Sequence, residues 1–183
     1  SIYGSNLDEF FMVRIGSLSD QMIAIPDKID DKTGQTAQEQ IIEVWKWLTN
    51  HEKEVEKAIK KVLNKLQLIG ISILQVDNLE KVDELLTRDY FNKDIKPLLS
   101  AQIIDPHHPF PFLKNKQSYV MAQLEDKNNK IRYGIVHTEN LPKFINYSIN
   151  EKERIVITSD LITHHLSSIF KKYTVNEAIT LRV

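Results

Sequence analysis

The sequence predicts an α+β chain: an N-terminal α-helical bundle of about three helices, then a smaller α/β part with an antiparallel sheet. Three observations carry this. Apolar residues recur at helical spacing through most of the first hundred positions. The run Asp105-Pro106-His107-His108-Pro109-Phe110-Pro111-Phe112 forbids both a helix interior and a central strand. Strand-like runs separated by turn residues follow it. The division falls at about residue 100, with 1–100 helical and 101–183 α/β.

Leu7, Phe10, Phe11, Ile15, Leu18 and Met22 recur at helical intervals and predict a helix over 6–24. Asn6 or Ser5 is its expected N-cap, with Asp8 and Glu9 at capping-box spacing and their charge on the first turn. Pro26 through Gln35 is a loop. Ile41, Trp45, Leu48, Glu52, Val55, Ile59, Val62 and Leu66 alternate spacings of four and three, an a/d stripe broken at Glu52. That helix runs from 37 to 68, about 45 Å at 1.5 Å per residue, and ends near Gly70. Its stripe is expected to pack on the first helix and on the next one. Ile71–Leu74 is a short extended segment, and Asp77 then caps a third helix with Val82, Leu85, Leu86 and Tyr90 on one face, ending near Pro97.

Beyond the proline run, Tyr119–Leu124 and Ile131–His137 read as a hairpin about the Asp126–Lys130 turn. Ile155–Ile157 is a further strand. Asp160 is expected to cap a short helix carrying Leu161, Ile162, Leu166, Ile169 and Phe170, and Val175–Val183 forms a last strand.

At 183 residues with 42% hydrophobic and 27% charged content, the composition is that of a chain with a real core. Lys plus Arg (24) nearly balances Asp plus Glu (25), which argues against a broad nucleic-acid footprint. The absence of cysteine removes disulfides and thiolate metal sites and fits a reducing cytosol. No apolar run is long enough for a membrane span.

Asn6 before a helix is first of all a cap, although its amide offers a donor and an acceptor that suit a purine edge. Arg14 is expected to pair with Asp8 or Glu9 rather than with an anionic partner. No metal site is expected. His107 and His108 point opposite ways on an extended backbone, and His164 and His165 diverge on a helix. Phe110 and Phe112 read as core plugs around a rigid turn. Lys53, Lys57, Lys60, Lys61 and Lys65 could track a polyanion, but Glu52, Glu54 and Glu56 stand at pairing distance, so a salt-bridged face is expected. With 5 glycines there is no phosphate loop, and no nucleophile–base constellation is present.

The run Ser5-Asn6-Leu7-Asp8-Glu9-Phe10-Phe11-Met12-Val13-Arg14 resembles the N-terminal signature of bacterial polyphosphate kinases. His108-Pro109-Phe110-Pro111-Phe112 resembles the same family's entry to its head domain. Leu141-Pro142-Lys143-Phe144 is similar to a Pro-Arg-Phe-like element with Lys in place of Arg, and Leu181-Arg182-Val183 resembles the start of a strand leading to the catalytic domains. Tyr147–Asp160 and Lys171–Asn176 match poorly. The resemblance implies part of an ATP–polyphosphate phosphotransferase, a helical N-terminal domain followed by a partial α/β head domain. It assigns Asn6 a contact to the ATP base and gives the head domain a role in homo-oligomer assembly. It places Mg²⁺ and the phosphate-accepting histidine in domains absent from this sequence, so the chain alone is expected to be inactive. It further implies a cytoplasmic enzyme acting on ATP and polyphosphate, with peripheral membrane association left open for the intact protein. The alternative is a non-catalytic helical interaction or dimerisation module.

Overall fold

The computed structural model describes residues 2–105, 108 and 110–183. Pro106, His107 and Pro109 of the proline run lie outside the described residues. The chain divides into two compact units, Ser1–Asn64 and Lys65–Val183. The expected change of texture near Ser100 falls inside the second of them.

The first unit is helical. Helix α1 (Ile2–Glu9) passes without interruption into a π-helical turn at Phe10–Ile15, which continues as α2 (Gly16–Ala24). Asn6 therefore lies inside a helix that starts at least four residues earlier than expected, and it caps nothing. The capping box stands instead at the start of α3 (Ala37–Leu68). Thr36 N donates to Glu39 Oε2 at 2.8 Å and the Glu39 N–H reaches Thr36 Oγ1 at 3.3 Å. The loop before it is held by Asp30 Oδ1, which accepts the N–H groups of Lys32 and Thr33 at 2.9 Å each. Those bonds hold the Asp30 carboxyl below the usual carboxylate range, those to Thr36 do the same for Glu39, and each group is exposed to solvent. Helix α3 has the predicted bounds, and Gly70 follows it at φ 83°, a value glycine adopts at low cost.

The second unit contains two sheets. Strands β1 (Ile71–Leu74), β5 (Phe144–Ile149) and β6 (Lys152–Ile157) form one, in the order β1-β6-β5. Here β1 runs parallel to β6, so this sheet is mixed rather than antiparallel. Strands β2 (Ser100–Ile104), β3 (Ser118–Glu125), β4 (Ile131–His137) and β7 (Thr174–Arg182) form an antiparallel sheet in the order β2-β4-β3-β7. The predicted hairpin is β3–β4, with Glu125 opposite Ile131 across the turn. Val120, Ala122 and Leu124 of β3 alternate inward against Phe91, Leu161, Ile162, Leu166 and Phe170. Ala122 faces Gly134 across the pair, and this small pair admits the Phe170 ring. A Cβ on Gly134 would stand 2.6 Å from that ring.

Helix α4 (Lys81–Tyr90) differs from expectation in both its start and its face. Asp77 belongs to a preceding 3-10 turn (Val76–Asn78), and Glu80 occupies the cap position without a side-chain bond. The expected face is outside: Val82, Leu85 and Leu86 are exposed, whereas Asp83, Thr87, Phe91 and Ile95 are buried at a spacing of four. A polar anchor decides this. Asp83 accepts Tyr147 Oη and Arg154 Nη1 at 2.9 Å each, from cross-strand neighbours on β5 and β6. Burial, then the bond to Asp83, pushes the Tyr147 phenol well above its ordinary value. Likewise Asp160 sits in the first turn of α5 (Thr158–His164), whose cap position is Ile157. Phe110 and Phe112 are exposed, not core plugs. No helix among the described residues is long and apolar enough to cross a membrane.

Candidate functional site: an aromatic cleft around Asn6

Placing Asn6 in the body of α1 sets its neighbours. Tyr3 and Phe10 lie three and four residues away from it, so they share its face, and Leu7, four residues on from Tyr3, borders it. Across from them α3 presents Val44, Trp47 and Leu48 at the same kind of spacing. Together these residues line a cleft of about 480 Å³ whose one amide side chain is Asn6. Among the described residues that amide makes no side-chain hydrogen bond. His51 stacks on Trp47 with ring centroids 4.6 Å apart, and Tyr3 leans on the same imidazole at 5.6 Å. Phe11 reaches Trp45 at 5.9 Å from within the π-helical turn, which fixes α1 against α3 next to the cleft. Chemically the cleft suits the planes of a flat ring, with ring faces and aliphatic walls; its exposed lining is almost wholly apolar, and Asn6 is its one amide residue.

A second cleft of about 480 Å³ in the same unit is lined by Arg14, Lys28, Lys32 and Asp30. Arg14 donates to the buried Gln40 Oε1 on α3 at 2.8 Å, a partner the sequence did not suggest. Of the salt-bridged face expected on α3, the described residues show one long pair, Lys60 with Glu56 at 3.9 Å.

The described histidines serve packing and turns. His108 meets Asp105 at 3.1 Å, His164 meets Asp77 at 3.2 Å, and His165 stacks on Phe91 at 4.3 Å. Burial, then the neighbouring charges of His164, Lys96 and Arg88, lowers the His165 pKa. No group of three potential metal ligands is found among the described residues.

Sequence reasoning singled out Asn6 and missed Tyr3, Phe10 and Trp47 as its companions. Their spacing along one face held the signal, and placing the helix start at Asn6 hid it, because Tyr3 was then outside the helix.

Two family models cover the chain: the polyphosphate kinase N-terminal domain over residues 1–74 and the polyphosphate kinase middle domain over residues 83–183. The chain belongs to the polyphosphate kinase family. A polyphosphate kinase of Exiguobacterium sibiricum is 29% identical over 186 residues, covering 100% of this chain and 26% of that relative. One from Bacillus anthracis is 33% identical over 193 residues, again over the whole chain and 27% of the relative. The crystal structure of polyphosphate kinase from Porphyromonas gingivalis superposes over 100% of this chain and 27% of its own with a TM-score of 0.76, at 20% identity. That likeness shows that the fold is shared. The chain spans about a quarter of the length of the curated relatives it matches.

Proposed function

We propose that this chain is the front part of an enzyme that transfers the terminal phosphoryl group of ATP to polyphosphate, and that Asn6 holds the edge of the ATP base. The observation that carries this is the unpartnered Asn6 amide at an aromatic-lined cleft. The adenine ring would lie against Trp47 and Phe10, with Asn6 donating to and accepting from its edge. The magnesium and the phosphate-accepting histidine that the family resemblance implies are assigned to the remainder of the enzyme. Family membership and the want of cysteine support a cytoplasmic enzyme, and homo-oligomer assembly is assigned to the second unit.

ATP titration followed by tryptophan fluorescence tests the base contact. Binding should quench the emission, and Asn6→Ala should weaken the affinity about fivefold to tenfold, as expected for one neutral hydrogen bond. Equal affinities in the two proteins, or no binding at all, would remove Asn6 from the site. The second proposal, an interaction module, draws on Trp45, Ile59, Val62, Val82, Leu85 and Leu86, all apolar and exposed. A mass that rises with protein concentration, without nucleotide affinity, would favour it.

A further inference from the structure

A third cleft, of about 270 Å³, opens in the second unit between the loop before β3, the loop before β5 and the start of α5. We infer that it binds a phosphate monoester whose phosphate is attached to a flat apolar body, such as a nucleoside monophosphate. Three observations meet there. Thr158 is 2% exposed, and its hydroxyl has no hydrogen-bond partner. A buried orphan of this kind costs free energy unless a ligand completes it. Lys116 and Lys143 line the same cleft and take part in no described ion pair, while Glu139, which also lines it, is paired with Lys114 at 2.8 Å. Lys116 also occupies a left-handed backbone conformation, φ 64°, that disfavours lysine, so a cation is held there against local preference. The Thr158 N–H bonds the Lys143 carbonyl at 3.1 Å, which ties the orphaned hydroxyl to one cation-bearing loop. The rest of the wall joins an apolar stretch, Leu141, Phe144 and Ile157, to the polar Gln117, Ser118, Thr138 and Ser159.

The chemistry that fits is a dianionic head between two ammonium groups and a hydroxyl, with a ring against Phe144. An inorganic oligophosphate would leave that apolar wall uncovered, and a neutral nucleoside would leave the two cations unmatched. The cleft is distinct from the Asn6 cleft, since no residue lines both.

Calorimetric titration of the 183-residue chain with AMP, phenyl phosphate, adenosine and tripolyphosphate tests the assignment. Phenyl phosphate, which carries no base for the Asn6 cleft, should bind here, AMP should compete with it, and adenosine should not compete. Thr158→Val, which keeps the shape and removes the hydroxyl, should melt no lower than the parent and bind phenyl phosphate about tenfold more weakly. Lys143→Gln should weaken it similarly, whereas Asn6→Ala should leave phenyl phosphate affinity unchanged, so this site and the base contact can fail separately. Wild-type affinity in Thr158→Val, tripolyphosphate binding tighter than phenyl phosphate, or no binding by either ester would each overturn the inference.

Discussion

The two compact units treat their apolar residues differently. In Ser1–Asn64 the buried side chains are Leu18, Ala37 and Gln40, while Trp45, Trp47 and Ile59 remain more than half exposed at 55%, 55% and 52%. In Lys65–Val183, Val120, Leu124, Val136, Val156, Leu161, Ile162 and Leu166 are at or below 1% exposure around one core. Both units carry amphipathic helices, so periodicity alone does not distinguish them. What distinguishes them is whether the apolar stripe has a facing layer: two sheets supply it in the second unit, and one helical partner covers part of α3 in the first.

Truncation should expose this contrast most strongly. Phe91→Ala, at 1% exposure under the His165 ring, should destabilise the second unit by about 3–5 kcal/mol. Trp47→Ala, from a half-exposed position, should cost about 1 kcal/mol or less. Denaturant unfolding followed separately in each unit measures both, and equal losses would erase the comparison. Asp83→Ala removes a buried carboxylate that holds both the part-buried Arg154 guanidinium and the Tyr147 hydroxyl and should cost about 3 kcal/mol, while an exposed pair such as Lys46–Glu43 should cost little. Next in size is Gly134→Ala, in which the added methyl meets the Phe170 ring at 2.6 Å and should cost about 1–3 kcal/mol. Thr36→Ala in the first unit removes the capping box of α3 and should cost about 1 kcal/mol, read as lost helicity on heating.

The smallest effect is in pH. Burial depresses the His165 pKa from the ordinary 6.5, so the folded state binds fewer protons than the unfolded chain. Its contribution is full above pH 6.5 and is lost as pH falls from there through the depressed folded value. Melting temperatures taken between pH 7.5 and 5 should decline less in His165→Phe than in the parent chain, and identical slopes would assign the decline to other groups.

The elements legible in the sequence were those fixed by local chemistry. The bounds of α3 followed from the Ile41–Leu66 stripe and from Gly70, and the β3–β4 hairpin from alternation about Asp126–Lys130. Strand β5 was not legible, because its hairpin with β6 turns on Asn150-Glu151 at φ 50° and 62°, where Glu replaces the glycine that usually marks such a turn. Strand β2 is five residues long and pairs only with a distant β4, so no local signal announces it. The buried face of α4 was misjudged because Asp83, a charged residue, anchors it from inside through partners more than sixty positions away. At the candidate site Asn6 was legible from the family signature and its aromatic companions were not, since they depend on where α1 begins.

The π-helical turn at Phe10–Ile15 absorbs one residue that an α-helix along the same path would not hold. Losing a single codon there would return the segment to regular α-helix and leave the faces on either side in register. The same loss from the α-helical residues between that turn and Leu18 would rotate everything upstream by about 100° relative to Leu18. Tyr3, Asn6 and Phe10 would all survive in the sequence and still turn away from Trp47. Outside the turn, reading-frame length as much as residue identity would decide whether the cleft exists.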